Sequence, residues 1–264
     1  VVSGCRIERS YEYGIIMTLT SSPVITNNVV KDNNTQNTSA KNQVSIGLQG
    51  NNSPVITGNT ISGGWSTRTG GISLWVNGTG AFSNAVIENN EIYNNSFGMT
   101  LYATSGGAIN ATVRYNRIYG NKINADVNTS GSGINVNGVT TNTPLIAGNV
   151  IYNNWWGITI QNGTTVQAGP GPRLGDLTNA DSTDDGRNKI FGNVQPGGTF
   201  DLYNNCTNDI SAQNNDWGVY DSISIEANIY HKVDNSLHGT VNFMPFYNPA
   251  GIPVELTSFS YFLK

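Results

Sequence analysis

Apolar and polar positions recur along this chain in one phrase: an apolar pair, two spacer residues, an asparagine, one spacer, and an isoleucine or valine. One copy reads SPVITGNTIS from Ser53, and another reads TPLIAGNVIY from Thr143. A period of about thirty residues predicts coils that bury their apolar side chains by stacking on their neighbours. We therefore expect the asparagines to form a structural ladder of hydrogen-bonded amides. They lie at intervals of 31, 31, 26 and 33 residues: Asn28, Asn59, Asn90, Asn116 and Asn149.

A second pattern follows each asparagine, in which a glycine precedes strictly alternating apolar residues. Examples are GGISLWV from Gly70 and WGITIQN from Trp156. Alternation behind a turn residue predicts a half-buried strand, and helical periodicity is absent. The sequence thus predicts an all-β parallel β-helix, or solenoid, of about seven to eight coils over residues 1–216. A C-terminal cap would follow over 217–247, and a linker or strand over 248–264.

Two further columns follow from the same register. One continues five residues past the ladder with Asn33, Asn95, Asn121, Asn154 and, if Asn188 heads the last regular repeat, Asn193. The other is aromatic and comprises Tyr93, Tyr119, Tyr152 and Phe191. The register also sets Glu88 opposite Arg114 and Glu91 opposite Arg117, pairs that favour correct stacking more than they add stability.

Composition narrows the class of protein. Only 11% of residues are charged, whereas the chain holds 39 Asn and 31 Gly, which suit tight turns between short strands. The net charge of −4 gives no electrostatic basis for binding nucleic acid. No run of about 18 apolar residues is present, so we expect no membrane span. The chain opens within a repeat and without an initiator methionine, so we expect a segment of a longer precursor.

The two cysteines, Cys5 and Cys206, lie far apart in the predicted stack, so we expect no internal disulfide. Cys5 stands where the first coil would carry its ladder asparagine. We expect both thiols to be free and buried, and the alternative is a bridge between neighbouring molecules.

The VIxxNxI phrase with its trailing Gly-Ile-x-Leu strand resembles the right-handed parallel β-helix family of pectate-lyase-like repeat proteins, and the resemblance covers roughly residues 1–216. Residues 214–246 look like the terminal cap of secreted bacterial members. The tail IPVELTSF, residues 252–259, resembles the lead-in to the sorting domain of type IX secretion substrates. The resemblance implies an extracellular or cell-surface protein, with the sorting domain missing from this sequence.

The family includes polysaccharide lyases and glycoside hydrolases, whose chemistry requires clustered carboxylates with a base or a calcium ion. The acidic residues here are spread thinly, and the Glu88, Glu91, Arg114 and Arg117 cluster is better explained as a ladder. His231 and His238 lie in the predicted cap, where we expect them to pack or to face solvent. We therefore predict no catalytic residue, and an enzyme is the alternative.

A calcium site is the candidate for a metal. Asp181, Thr183 and Asp185, followed by Gly186, echo the first half of a calcium loop. The twelfth position is Gly192, which cannot supply the closing carboxylate. A solvated Asp-Gly turn is the alternative, and no other cofactor is expected.

Aromatic residues are the candidate ligand-binding group. Tyr93, Tyr119 and Tyr152, with Trp155 and Trp156 nearby, would offer sugar rings a surface if they point outward, and would be core if they point inward. We predict a structural or adhesive surface protein, able to assemble with itself head-to-tail into filaments. The alternative is a protein that binds or cleaves a polysaccharide in the groove lined by the Gly-Ile-x-Leu strands and their loops. Ice binding is disfavoured because the threonine column ends after Thr26 and Thr57.

Overall fold

The computed structural model of the protein describes residues 1–47 and 51–249. Residues 252–259, which resemble the lead-in to a secretion sorting domain, lie outside these residues. The described chain winds into a parallel β-helix with three parallel sheets and eight coils, counted on the longest sheet. The fold predicted from the repeat is thus confirmed.

Short strands on both sides of the asparagine ladder form the first two sheets. The first sheet contains Val2–Ser3, Val24–Thr26, Val55–Thr57, Val86–Glu88, Thr112–Arg114 and Leu145–Ala147. The second sheet contains Arg6–Glu8, Val29–Lys31, Thr60–Ser62, Glu91–Tyr93, Arg117–Tyr119, Val150–Tyr152 and Lys189–Phe191.

The glycine-led alternating segments form the third sheet, which has the longest strands. It contains Ile15–Thr18, Lys41–Gly47, Thr69–Asn77, Met99–Thr104, Ser132–Gly138, Trp156–Gln161, Leu202–Asn205 and Ile229–Tyr230. Smaller pairs join Phe82–Ser83 to Ala108–Ile109, Val194–Gln195 to Gly198–Thr199, and Ile210–Ser211 to Val241–Asn242.

The core is a stack of aliphatic side chains in vertical register. In the first sheet Ile56 pairs with Ile87, and Ile87 pairs with Val113. The second sheet repeats the arrangement with Ile92 and Ile118, and all five side chains are fully buried. Because the residues on each side of these positions face outward, three-residue strands suffice to close each coil.

The ladder asparagines hold successive coils together at the turn between the first and second sheets. The Oδ1 atom of Asn90 accepts hydrogen bonds from both the backbone N–H and the Nδ2 of Asn59, at 3.0 and 2.9 Å. The same pair of bonds links every step through the buried residues Asn28, Asn59, Asn90, Asn116, Asn149, Asn188 and Asn215. The ladder thus extends one coil past the last one expected from the sequence, at Asn215.

The second asparagine column is interrupted in the third coil and continues after it. From Asn95 the bonds pass through Asn121 and Asn154 to Asn193. The column ends on Asp201, whose Oδ1 accepts from the backbone N–H and Nδ2 of Asn193 at 3.1 and 2.8 Å.

The two cysteines differ in exposure. Cys5 takes the ladder position in the first coil, where its N–H donates to Asn28 Oδ1 at 2.9 Å. Its thiol is exposed, so the expectation that both thiols are buried is wrong for Cys5, which lies in a coil with only one described neighbour. Cys206 is fully buried, and burial raises the pKa of its thiol to about 11. A Cys206–Cys5 bridge between molecules is therefore not expected, because this thiol is neither accessible nor readily ionised.

The segment predicted as a cap, 217–247, adds strands to the solenoid and includes one short helix, Ser222–Glu226. His231 and His238 are both buried there. His231 accepts the Val241 N–H at Nδ1, 2.7 Å away, and its Nε2 lies 2.6 Å from Glu226 Oε1. Both histidines therefore pack within the cap. Among the described residues, no helix has the length and apolarity needed to cross a bilayer.

Candidate functional site

The outward face of the third sheet carries two columns of uncharged side chains. Parallel register aligns the first column as Ser45, Ser73, Thr100, Asn135, Thr159 and Tyr203. It aligns the second as Gly47, Trp75, Tyr102, Asn137, Gln161 and Asn205. We call these two columns the uncharged strip.

A groove lies over the C-terminal half of the uncharged strip and has a volume of about 380 Å³. Its floor includes Thr100, Asn135 and Gln161. One wall is the loop segment 127–130, and Gly163 and Thr164 line it as well. Three aromatic side chains also line the groove: Phe97, Trp156 and Tyr203.

The wall of the groove is held in place by two tryptophans predicted as ligand-binding residues. Trp155 Nε1 donates to Asn124 O at 3.0 Å, and Trp156 Nε1 donates to Val127 O at 2.8 Å. Gly131, with φ of +87°, lets the Trp155 indole lie directly against the backbone, where a Cβ would collide with it. Trp156 also lines the groove, whereas Trp155 supports the loop.

The floor of the groove offers polar groups without protein partners. In the described part of the chain, the side chains of Thr100, Asn135 and Gln161 make no hydrogen bond, and Asn135 Oδ1 is buried and unpaired. By contrast, Ser132 and Thr159 bond to each other at 3.0 Å. This oxygen is closed off from the groove, so the groups open to a ligand are the amide N–H of Asn135, the Thr100 hydroxyl and the Gln161 amide.

The described lining of the groove holds few groups that could transfer a proton, and Tyr203 is one of them. Its described lining contains no Asp, Glu, His, Lys or Arg. Hydrolysis of a glycosidic bond requires paired carboxylates, and proton abstraction requires a base within hydrogen-bond reach. The arrangement can orient hydroxyl groups and stack against apolar sugar faces.

The predicted tyrosine column, Tyr93, Tyr119 and Tyr152, lies on the outward face of the second sheet, away from the groove. The rings stack at centroid distances of 5.2 and 5.0 Å, and Phe191 follows at 5.4 Å. Both faces of Tyr119 and of Tyr152 are therefore covered by neighbouring rings. This arrangement leaves a sugar ring little open aromatic face on that column.

Charged side chains complete the tyrosine column. Tyr119 donates its hydroxyl to Glu91 Oε1 at 3.0 Å, and Arg117 donates to the Tyr152 hydroxyl at 2.7 Å. Burial, with the Glu91 hydrogen bond, raises the pKa of Tyr119 to about 12. Arg117 also lies 3.5 Å from Glu91, as the predicted register requires. These groups thus satisfy one another.

The other predicted charge pair shares a register but not a contact. Glu88 and Arg114 are aligned on adjacent strands. Arg114 instead donates to the backbone oxygen of Thr183, at 3.1 Å. The loop that carries Thr183 packs over the first sheet and brings this carbonyl to Arg114. The repeat period of the sequence does not predict this contact.

The residues of the predicted calcium loop have protein partners. Asp181 Oδ1 accepts from the backbone N–H and hydroxyl of Thr183 at 3.0 and 2.6 Å, and these bonds hold the pKa of Asp181 below its usual value. Arg173 lies 3.9 Å from Asp181, and the backbone oxygen of Asp185 accepts from Asn214. Within residues 1–47 and 51–249, no three His, Cys, Asp or Glu side chains are grouped to hold a metal ion. The side chain of Asp181 and the backbone oxygen of Asp185 thus already have protein partners in this turn. Calcium binding stays a prediction.

Asp201 is a titratable group that the sequence did not single out. Its side chain is fully buried, and this burial raises the pKa of the carboxyl to about 7, although hydrogen bonds from Asn193 act to lower it. It lies beneath the sheet, at the end of the second asparagine column, and does not line the groove.

The stacked parallel sheets and the asparagine ladders define a β-solenoid with a groove on its longest sheet. The family model described as "Right handed beta helix region" matches residues 1–167. The chain therefore belongs to the right-handed β-helix family. No curated protein and no solved structure matches it.

Sequence reasoning found one groove residue, Trp156, and missed most of the others. The outward positions Thr100, Asn135 and Gln161 alternate with buried Leu101, Val136 and Ile160, so the strand pattern contains them. Reading those positions for missing charge, coil by coil, would have marked the strip. The loop wall could not be found in this way.

Proposed function

We propose that this protein is a non-catalytic β-solenoid that binds an uncharged carbohydrate in the groove over the uncharged strip. One observation carries the proposal: the groove combines aromatic walls with unpaired hydroxyl and amide groups, and its described lining holds no ionised side chain. Sugars present hydroxyls to such amides and apolar ring faces to aromatic side chains.

The absence of charge favours a neutral ligand over an acidic one. An acidic polysaccharide would leave its carboxylates without a cation or an arginine in this groove, which costs desolvation energy. An extended peptide is also disfavoured, because peptides add to unpaired strand edges. The strands beneath the groove are paired on both sides.

The predicted adhesive role fits a binding function. A rigid solenoid that holds a glycan without altering it would serve as a surface or extracellular attachment element, as the resemblance to secreted family members implies. Head-to-tail assembly of the solenoid stays a prediction, which sedimentation velocity over a range of concentrations would test.

Affinity electrophoresis against soluble polysaccharides tests the proposal. We expect retardation by at least one neutral probe among hydroxyethylcellulose, galactomannan and arabinoxylan, and none by polygalacturonate or alginate. The double variant Asn135→Ala/Gln161→Ala should bind about thirtyfold more weakly, since two hydrogen bonds of about 1 kcal/mol each are lost.

The matched control is Thr26→Ala/Thr57→Ala, which removes two uncharged outward side chains from the first sheet. This control should bind like the native protein. Equal retardation of both double variants would place binding outside the groove and refute the proposal. Release of reducing ends or of unsaturated products from any probe would refute the non-catalytic assignment.

A further inference from the structure

We propose that the ligand is an extended, uncharged polysaccharide that lies along the solenoid axis and reaches beyond the groove to Trp75 and Tyr102. This inference rests on the proposed function and adds the direction, the minimum length and the second contact region of the ligand.

The uncharged strip continues past the groove without a break. The columns pass from Tyr203 through Asn135 and Thr100 to Ser73 on one side, and from Asn205 to Trp75 on the other. From Trp75 to Asn205 the second column takes four coil steps, about 19 Å at a rise of about 4.8 Å each. No position in this stretch carries a charge.

An aromatic pair marks the N-terminal end of this stretch. Trp75 and Tyr102 stack at a centroid distance of 6.1 Å and an interplanar angle of 22°. Trp75 is 38% exposed, although an indole usually contributes more to stability when it is buried. In the coil before it, the second column offers only Gly47, so no side chain of that column covers the ring on that side.

Uncharged surface extends around the same pair. A second, open hollow of about 400 Å³ is lined by Thr20, Asn51 and residues 77–81. Asn77 lies two residues past Trp75 on the same strand, and its Oδ1 accepts from the Thr104 hydroxyl at 3.0 Å. Neutral side chains thus continue along the strand past Trp75 and line the hollow that follows it.

The repeat of the solenoid selects the shape of the ligand. From Trp75 to Asn205 the second column presents one polar or aromatic side chain per coil, so a matching ligand should advance by about one sugar per coil. An extended β-1,4-linked chain of hexose or xylose has this form, whereas a coiled α-1,4-linked chain does not. A chain of about five sugars would contact Tyr203 at one end and Trp75 at the other.

Isothermal titration calorimetry with oligosaccharides of two to six units tests the inference. The probes are the cello-, manno- and xylo-oligosaccharide series, with maltohexaose as the coiled contrast. For the series that binds, we expect affinity to keep rising up to five or six units. Trp75→Ala should leave trimer affinity unchanged and lower hexamer affinity about tenfold.

The matched control is Trp65→Ala, which removes an indole that is 57% exposed and does not line the groove. It should match the native protein for every length, and circular dichroism melts should show that both variants fold. If Trp75→Ala binds the hexamer like the native protein while Asn135→Ala/Gln161→Ala binds weakly, the axial reach is refuted and the groove assignment stands. Tighter binding of maltohexaose than of any extended hexamer refutes the axial chain, and no binding of any probe refutes both proposals.

Discussion

The outward faces of the second and third sheets arise from the same repeat, but they differ in how their polar and aromatic side chains are paired. Those of the second sheet contact one another, whereas several of the third sheet have no partner among the described residues. On the second sheet, Tyr119 and Tyr152 are stacked, and their hydroxyls bond to Glu91 and Arg117. On the third, the side chains of Thr100 and Gln161 make no hydrogen bond in the described part of the chain. The same stacking of coils can therefore leave the outward side chains of a sheet bonded to one another, or leave their hydrogen-bonding groups free to bind a ligand. The available face is where a ligand gains most.

The largest expected effect comes from breaking the ladder that supports both faces. Asn116→Ala removes the oxygen that accepts two bonds from Asn90, so the buried Asn90 backbone N–H loses its partner. We expect a loss of about 3–5 kcal/mol in the free energy of unfolding. Urea unfolding, followed by far-ultraviolet circular dichroism, measures it.

Asn135→Ala is the control, because it removes an asparagine from the open face. Its free energy of unfolding should not fall below the native value, because the variant removes a buried acceptor that has no protein partner among the described residues. Equal destabilisation by the two variants would mean that the ladder and the open face do not differ as described.

The next effect concerns pH, through Asp201. Its pKa is about 7 in the folded protein and near 3.8 when unfolded, so the native state holds a proton that the unfolded state loses between these values. This contribution to stability is fully present below about pH 4 and is lost as pH rises through 7, by up to about 4 kcal/mol. Urea unfolding between pH 4 and 8 measures the decline.

Asp201→Asn keeps the acceptor for Asn193 and removes the titration. It should flatten the pH dependence between 4 and 7 and should be the more stable protein at pH 8. A native profile that rises over this range, or a variant with the same slope as the native protein, would contradict the assignment.

A smaller effect tests the closed face. Tyr119→Ala removes two ring stacks, each of about 0.5–1.5 kcal/mol, and should lower the free energy of unfolding by about 1–3 kcal/mol. Glycan affinity should not change. Tyr220→Ala, at a position 42% exposed, serves as the control and should be nearly neutral. Loss of binding in Tyr119→Ala with intact stability would move the site to the tyrosine column.

The smallest effect is expected for Arg117→Met. Arg117 pairs with Glu91 at 3.5 Å, but the two side chains are 58% and 39% exposed. Exposed pairs contribute about 0–1 kcal/mol, so unfolding free energies with and without salt should differ little between the variant and the native protein. A loss above 2 kcal/mol would show that charge, more than ring stacking, holds the closed face.

The repeat could be predicted because Asn59, Asn90 and Asn116 are spaced by about one coil. In stacked coils, residues that are one coil apart lie in contact with each other. The orientation of the tyrosines was not, since a three-residue strand around one isoleucine fits either reading. The groove wall was beyond reach for another reason. It depends on the conformation of the 121–131 loop. That conformation is held by hydrogen bonds from the indole N–H groups of Trp155 and Trp156 to loop carbonyls.

Asp201 escaped prediction because it breaks the spacing rule. It stands eight residues after Asn193, whereas earlier partners in that column lie 26 to 39 residues apart. The position of Asp201 at the end of the column also places its carboxyl at one end of a row of aligned amide dipoles. Each column asparagine receives bonds from the coil before it and donates to the coil after it, so the amide dipoles add along the axis with their positive end toward the C-terminus. An acidic side chain sits on that end, just as one often does at the first turn of a helix.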